Sequence, residues 1–134
     1  MIFAQRRARE AAIPDRHLLH FVVRGGLSSP PTLMAGSTLT QVPGLAGFSV
    51  QSAPHIPLEQ LIAEIPNAWR YRFVSVGAAS ALANAGFELV WPTPGRGGYH
   101  ATVRTPHKLS LHDAVRVSAL FERRPNALYS PGGS

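Results

Sequence analysis

The sequence predicts an α+β domain, a mixed, largely antiparallel sheet of about five strands with helices packed on one face. Three observations carry this. Short runs rich in β-branched and aromatic residues, at 17–24 and 48–52, have strand composition. Two stretches, 57–65 and 110–121, repeat apolar residues at helical spacing. Residues 88–104 hold two strand-like segments around a proline- and glycine-rich turn, the mark of an antiparallel pair.

The chain has 134 residues, the size of one domain, and its 45% hydrophobic and 15% charged content supports a real core rather than disorder. Cysteine is absent, which excludes disulfides and cysteine-ligated metal sites. Residues 1–10 lack the apolar run of a signal peptide, and no apolar stretch is long enough to span a bilayer. The expectation is a cytoplasmic protein with no membrane contact.

Formal net charge is +6, and Lys108 is the single lysine among thirteen basic residues. Arginine grips phosphate bidentately, so a polyanion such as RNA is the natural partner class. The competing explanation is compositional: a GC-rich coding sequence favours arginine, alanine, glycine and proline with no binding role.

Taken in order, residues 1–16 form a basic N-terminal tail and 17–128 the single domain. Residues 17–24 read as a central strand, apolar on both sides, stopped by Gly25-Gly26. Residues 25–58 carry no Lys, Arg, Asp or Glu and read largely as loop, interrupted by a short helix at 31–35. A short alternating strand follows at 48–52. In 57–65, Leu58, Leu61, Ile62 and Ile65 make a helical stripe, with Pro57 at its start and Pro66 at its end. A strand at 71–76 leads into a small-residue helix at 77–85 capped by Gly86, with Phe87 packing back on Leu82. A strand starting at 88 turns through 92–98 into another at 99–104. The last helix begins at Ser110 with Asp113 in a capping box, buries Ala114, Val117, Leu120 and Phe121, and ends at Arg123-Arg124-Pro125. Residues 129–134 read as a flexible C-terminal tail.

The strand at 99–104 concentrates chemistry. With a two-residue period, His100, Thr102 and Arg104 share one face. His20 and Arg24 alternate similarly on the first strand, and Ser49 and Gln51 on the second. Were these faces neighbours, the site would hold two imidazoles, two guanidiniums and small hydrogen-bonding groups without a carboxylate. That set suits metal-free phosphodiester cleavage, in which a base deprotonates a 2′-hydroxyl, an acid protonates the leaving oxygen and cations stabilise the phosphorane. His100 and His20 are the expected acid–base pair, and Arg104 and Arg24 the phosphate clamps. Thr102 and Ser49 are positioners, with Gln51, Tyr99 and Arg96 completing the substrate-binding set. No metal or cofactor is expected, because the histidines lack zincin spacing and 94–98 lacks the helix and Lys-Ser/Thr of a P-loop.

His100-Ala101-Thr102-Val103 resembles one half of the repeated His-x-Thr signature of the 2H phosphoesterases, although His20-Phe21-Val22 does not supply the second copy. Size, charge and strand order resemble small bacterial ribonuclease toxins of the barnase/RelE/EndoU type. That resemblance implies a metal-independent endoribonuclease acting on RNA, with an antitoxin or immunity protein as partner. Residues 19–24 followed by 48–52 also resemble the Arg and Ser-x-Ser elements of mini ADP-ribosyltransferase toxins. There the arginine and serines would hold NAD, and Glu88 would align the ribose. A third reading is a non-enzymatic basic module that binds nucleic acid or protein.

Overall fold

The computed structural model describes residues 20–132. The basic tail at 1–16 and the start of the strand expected at 17–24 lie outside them, as do residues 133–134. The strands are β1 (Phe21–Gly25), β2 (Thr40–Val42), β3 (Leu45–Ser52), β4 (Phe73–Ala78), β5 (Glu88–Val90), β6 (His100–Arg104) and β7 (Glu122–Pro125). The helices are α1 (Pro30–Gly36), α2 (Leu58–Ala63), α3 (Ala79–Asn84) and α4 (Leu111–Ser118). Neighbouring strands run antiparallel in the order β5-β6-β3-β1-β4-β7, and β2 pairs with β3. The protein is α+β with an open antiparallel sheet of seven strands, two more than the sequence suggests. No described helix is long and apolar enough to cross a membrane.

The sheet is covered on both faces, and β1 shows why. Val22 and Val23 are both fully buried, in separate clusters on opposite sides of the strand. On the first face Val22, Phe48, Val50, Ala101 and Val103 meet Leu33 of α1, Leu82 of α3, and Ala114 and Val117 of α4. On the second, Val23, Val74 and Val76 lie under Leu61 of α2 together with Ile65 and Ala68. Burial on both sides explains why the first strand shows no apolar–polar alternation. It also amends the one-face arrangement: α1, α3 and α4 share a face, and α2 covers part of the other.

Local chemistry sets several boundaries. Ser110 Oγ accepts a hydrogen bond from the Asp113 backbone at 3.1 Å, the expected cap of α4. Phe87 N returns to Leu82 O at 2.9 Å, closing α3 beyond Gly86, whose φ is +94°. Helix α4 stops at Ser118, short of the expected Arg123-Arg124-Pro125. Those residues form β7 instead, paired with β4 and exposed, with Arg123 over the Phe73 ring and Arg124 bonded to Glu122. Charges and a proline along this strand suit an unpaired sheet edge. The C-terminal stretch is tied down as far as Ser130, whose N donates to Trp69 O at 3.0 Å, and Arg72 lies over the Tyr129 ring.

Registry positions the site. Ser49 faces Thr102 and Gln51 faces His100 across β3–β6, which gathers these four side chains on the second face. Gly47 holds the two strands close: its φ is +153°, and a Cβ there would run into the Val103 carbonyl.

Candidate functional site

Strand β1 pairs with β3 only through Val22↔Ser52 and Val23↔Gln51, and the ladder ends there. Beyond that point lies a cavity of about 250 Å³ lined by Arg24, Gly25, Ser49, Gln51, Ile65 and Tyr71, with Val23, Val50 and Pro66. No aspartate or glutamate is in the lining. The Tyr71 ring packs directly over Gly25, where a Cβ would collide with it.

Arg24 is the one charged residue of the wall. Its guanidinium sits 5.1 Å from the Phe48 ring centroid, and Nη1 donates to Ser28 Oγ at 2.9 Å. Its Nε is sealed from solvent without a partner, and no carboxylate pairs with it among the described residues. Burial pulls its pKa down, with Tyr71 acting in the opposite sense. A guanidinium held this way retains unmet hydrogen-bonding capacity.

Beside the cavity, His100 is 6% exposed and hydrogen-bonded at both ring nitrogens. Nδ1 lies 2.9 Å from Thr93 Oγ1, which lies 2.8 Å from Thr102 Oγ1. Nε2 lies 3.1 Å from Ser49 Oγ, which donates to Gln41 Oε1 at 3.2 Å. Arg96 Nη1 donates to the same Gln41 oxygen at 3.3 Å. Desolvation first, and the nearby Arg96 charge second, lower the His100 pKa below the usual 6.5, so the ring is neutral at pH 7.

Counting protons fixes the resting direction of this chain. If Thr102 donates to Thr93, Thr93 to Nδ1, Nε2–H to Ser49 and Ser49 to Gln41, every proton has an acceptor. The reverse sense leaves the Thr102 hydroxyl proton with no acceptor among the described residues, in a side chain that is fully buried. At rest, Nε2 therefore carries the proton. Moving the lone pair to Nε2 is a tautomer shift: Nε2 gives its proton to water, Nδ1 takes one from water, and the two threonine hydroxyls invert so that Nδ1–H donates to Thr93.

Of the residues expected from the sequence, the fold brings together His100, Thr102, Ser49 and Gln51, with Arg24 in the adjoining wall and Arg96 at the outer end of the network. Thr102 is sealed beneath Thr93, so it supports the ring and does not touch a ligand. His20 is not at this site. It precedes β1, meets the Trp91 ring edge-on with centroids 6.4 Å apart, and has a pKa lowered by desolvation and then by His55. Arg104 lies beyond the network, opposite Gly47, with Nε 3.2 Å from Glu88. Tyr99 packs into the second-face core, and its hydroxyl accepts from Gln60 Nε2 at 2.9 Å. The two-histidine, two-arginine cleft therefore does not assemble: β1 turns His20 elsewhere and Glu88 holds Arg104.

Thr93 and Gln41 were not singled out by the sequence. Thr93 sits in the turn between β5 and β6, and its N donates to His100 O at 3.0 Å, so hairpin geometry alone brings it back to the ring. Gln41 belongs to β2, inside the uncharged segment where the sequence shows no strand signal. Among the described residues, no three His, Cys, Asp or Glu side chains gather into a metal-ligating group.

No family model matches this chain, and no curated protein or solved structure matches it either.

Proposed function

We propose that this chain is a metal-independent endoribonuclease in which His100 acts as the general base. The observation that carries the reading is a neutral, oriented imidazole whose Nε2 meets exposed Ser49 at the rim of a cavity that contains an arginine and no carboxylate. An RNA 2′-hydroxyl placed beside Ser49 donates to Nε2 once the ring has changed tautomer, Nε2 losing its proton to water and Nδ1 gaining one from water as the Thr93–Thr102 pair inverts. That inversion leaves one hydroxyl unpartnered, a cost of about 1–3 kcal/mol. The 2′-oxygen bonds to phosphorus, its proton passes to His100 Nε2, and the phosphorus–5′-oxygen bond breaks. Water supplies the proton for the leaving oxygen, since His20 lies elsewhere. The products are a 2′,3′-cyclic phosphate and a 5′-hydroxyl. Ser49 and Arg96 hold the phosphate oxygens at the rim.

The toxin character, the cytoplasmic setting and an antitoxin or immunity partner are part of the same proposal and rest on the resemblance alone. The ADP-ribosyltransferase reading has weaker support. Glu88 on β5 and Arg24 on β1 are separated by β6 and β3, roughly 14 Å at the usual strand spacing, and Glu88 is engaged with Arg104. The test is incubation of the full chain with RNA and with DNA of the same sequence, with and without EDTA. RNA cleavage that survives EDTA and spares DNA supports the proposal. Salt-dependent RNA binding without cleavage, unchanged in His100→Asn, identifies a binding module instead.

A further inference from the structure

The Ser49 hydroxyl has the neighbours of a nucleophile. It is exposed, its Oγ lies 3.1 Å from His100 Nε2, and His100 Nδ1 is in turn 2.9 Å from Thr93 Oγ1. A hydroxyl, a base within hydrogen-bond reach and a third group that orients the base are what covalent catalysis by serine requires. In the tautomer with Nδ1–H on Thr93, Nε2 accepts from Ser49. Gln41 Oε1 then gives up that hydroxyl and keeps the Arg96 donor at 3.3 Å.

Backbone donors supply a second, independent observation. In β3, Ala46 O and Ser52 N bond to Thr105 N and Tyr99 O on the β6 side, whereas Gly47 N bonds to Leu39 O on the other side. By strand alternation the Ser49 N–H also points away from β6, toward β1. In the β1–β3 register Ser49 would stand opposite Gly25, but the ladder stops at Val23↔Gln51 before that pair is reached. Ser49 and Gly25 therefore have no ladder partner across the gap, and both line the cavity. Two backbone N–H groups beside a serine Oγ, one of them the serine's own, make a place for the oxyanion of acyl transfer.

Val23, Ile65, Pro66 and the Tyr71 ring give the same cavity an apolar wall. At about 250 Å³ it is smaller than the roughly 300–1,000 Å³ of sites for drug-sized ligands, which suits a short acyl chain. The Arg24 side chain takes no part, since it runs to the first face, over Phe48 and bonded to Ser28. Thr93 brings no charge to stabilise an imidazolium and Arg96 opposes one, so the acyl group is an activated one, a thioester or aryl ester rather than an amide. Arg96 shares the Gln41 oxygen with Ser49 and so favours a leaving group that carries negative charge.

We propose that Ser49 is the nucleophile of an acyl-transfer site that hydrolyses short-chain acyl thioesters and activated esters with anionic leaving groups, an activity beyond the ribonuclease reading. Ser49 Oγ bonds to the acyl carbon and its proton passes to His100 Nε2, while the carbonyl oxygen becomes an oxyanion facing the Ser49 and Gly25 N–H groups. The bond from carbon to the leaving sulfur or oxygen then breaks, and Nε2 gives its proton to the leaving atom. Water completes the cycle: its proton goes to Nε2, its oxygen bonds to the acyl carbon, and the Ser49 oxygen leaves with the proton from Nε2, releasing the carboxylic acid.

Treatment of the full chain with a fluorophosphonate probe, read by intact mass and peptide mapping, tests the nucleophile in the absence of RNA. One phosphonyl adduct is expected, on Ser49, absent from the urea-unfolded chain and from Ser49→Ala, and formed about 100-fold more slowly in His100→Asn. Butyryl-coenzyme A should be hydrolysed at least about tenfold faster than butyrylthiocholine, whose leaving group is cationic. No adduct, an adduct on another serine, labelling that persists in urea, or an unchanged labelling rate in His100→Asn overturns the proposal. So does equal hydrolysis of the two thioesters, or thioester hydrolysis undiminished in Ser49→Ala. Peptide mapping of the unsubstituted chain decides the matter even where a variant fails to fold. RNA cleavage without labelling removes the nucleophile and retains the ribonuclease reading, and labelling without RNA cleavage does the reverse.

Discussion

His100 is the residue on which the proposed chemistry turns, and its environment makes a pH prediction with a definite sign. His100 and His20 both have pKa values lowered chiefly by desolvation, so the unfolded chain binds more protons than the folded one just below 6.5. Stability should be complete above about 6.5 and decline as pH falls below it. Urea unfolding at pH 7.5 and pH 5 reads this, and His100→Asn should flatten the decline, whereas an equal decline in the variant contradicts the assignment. Thr93 is the positioning residue. Thr93→Val leaves Nδ1 without its partner and should cost about 1–3 kcal/mol in a denaturant titration. It should also lower kcat more than it raises KM, and Thr93→Ser should restore most of the rate. A purely structural Thr93 would leave kcat unchanged in the folded fraction. His100, Ser49 and Gln51 were legible in the sequence because strand alternation alone puts them on one face. Thr93 and Gln41 were not, because a turn and a three-residue strand bring them in by tertiary geometry. Nor does alternation say which strands are neighbours, and that decided the fate of His20 and Arg104.

Among the elements, the β3–β6 pair does most to build the site, and it depends on Gly47. Its left-handed-side φ and the Val103 carbonyl where a Cβ would stand mean that Gly47→Ala must push the strands apart. A destabilisation of about 3 kcal/mol is expected from thermal or urea unfolding, and a change under 1 kcal/mol would show that the register tolerates the shift. Because Ser49 and His100 sit on these two strands, the same variant should lose activity even where it folds. Helices α2 and α4 were readable from apolar spacing, with a proline at the start of one and a serine cap on the other. Strands β2 and β7 were not: β2 is three residues long within polar sequence, and β7 consists of exposed charged residues and proline, whose composition reads as a helix end.

At the scale of the whole molecule, the α+β class was legible because segment order and turn chemistry are local properties. The number of strands and the placement of α2 were not, since they depend on which apolar faces find each other. The unalternating first strand held the clue that the sheet is buried on both sides, and Val22 and Val23 supply its explanation. The end of the β1–β3 ladder is one place where polar groups meet open space. The excess of positive charge over the chain and the absence of a carboxylate from the cavity lining then favour an anionic chain molecule over a cationic or neutral ligand. The most direct measurement of the central claim is the rate at which the full chain and its His100→Asn variant convert RNA to 2′,3′-cyclic phosphate ends in the presence of EDTA. The account predicts cleavage by the full chain and a loss of about 100-fold or more in the folded variant; equal rates for the two proteins, or ends that lack the cyclic phosphate, would contradict it.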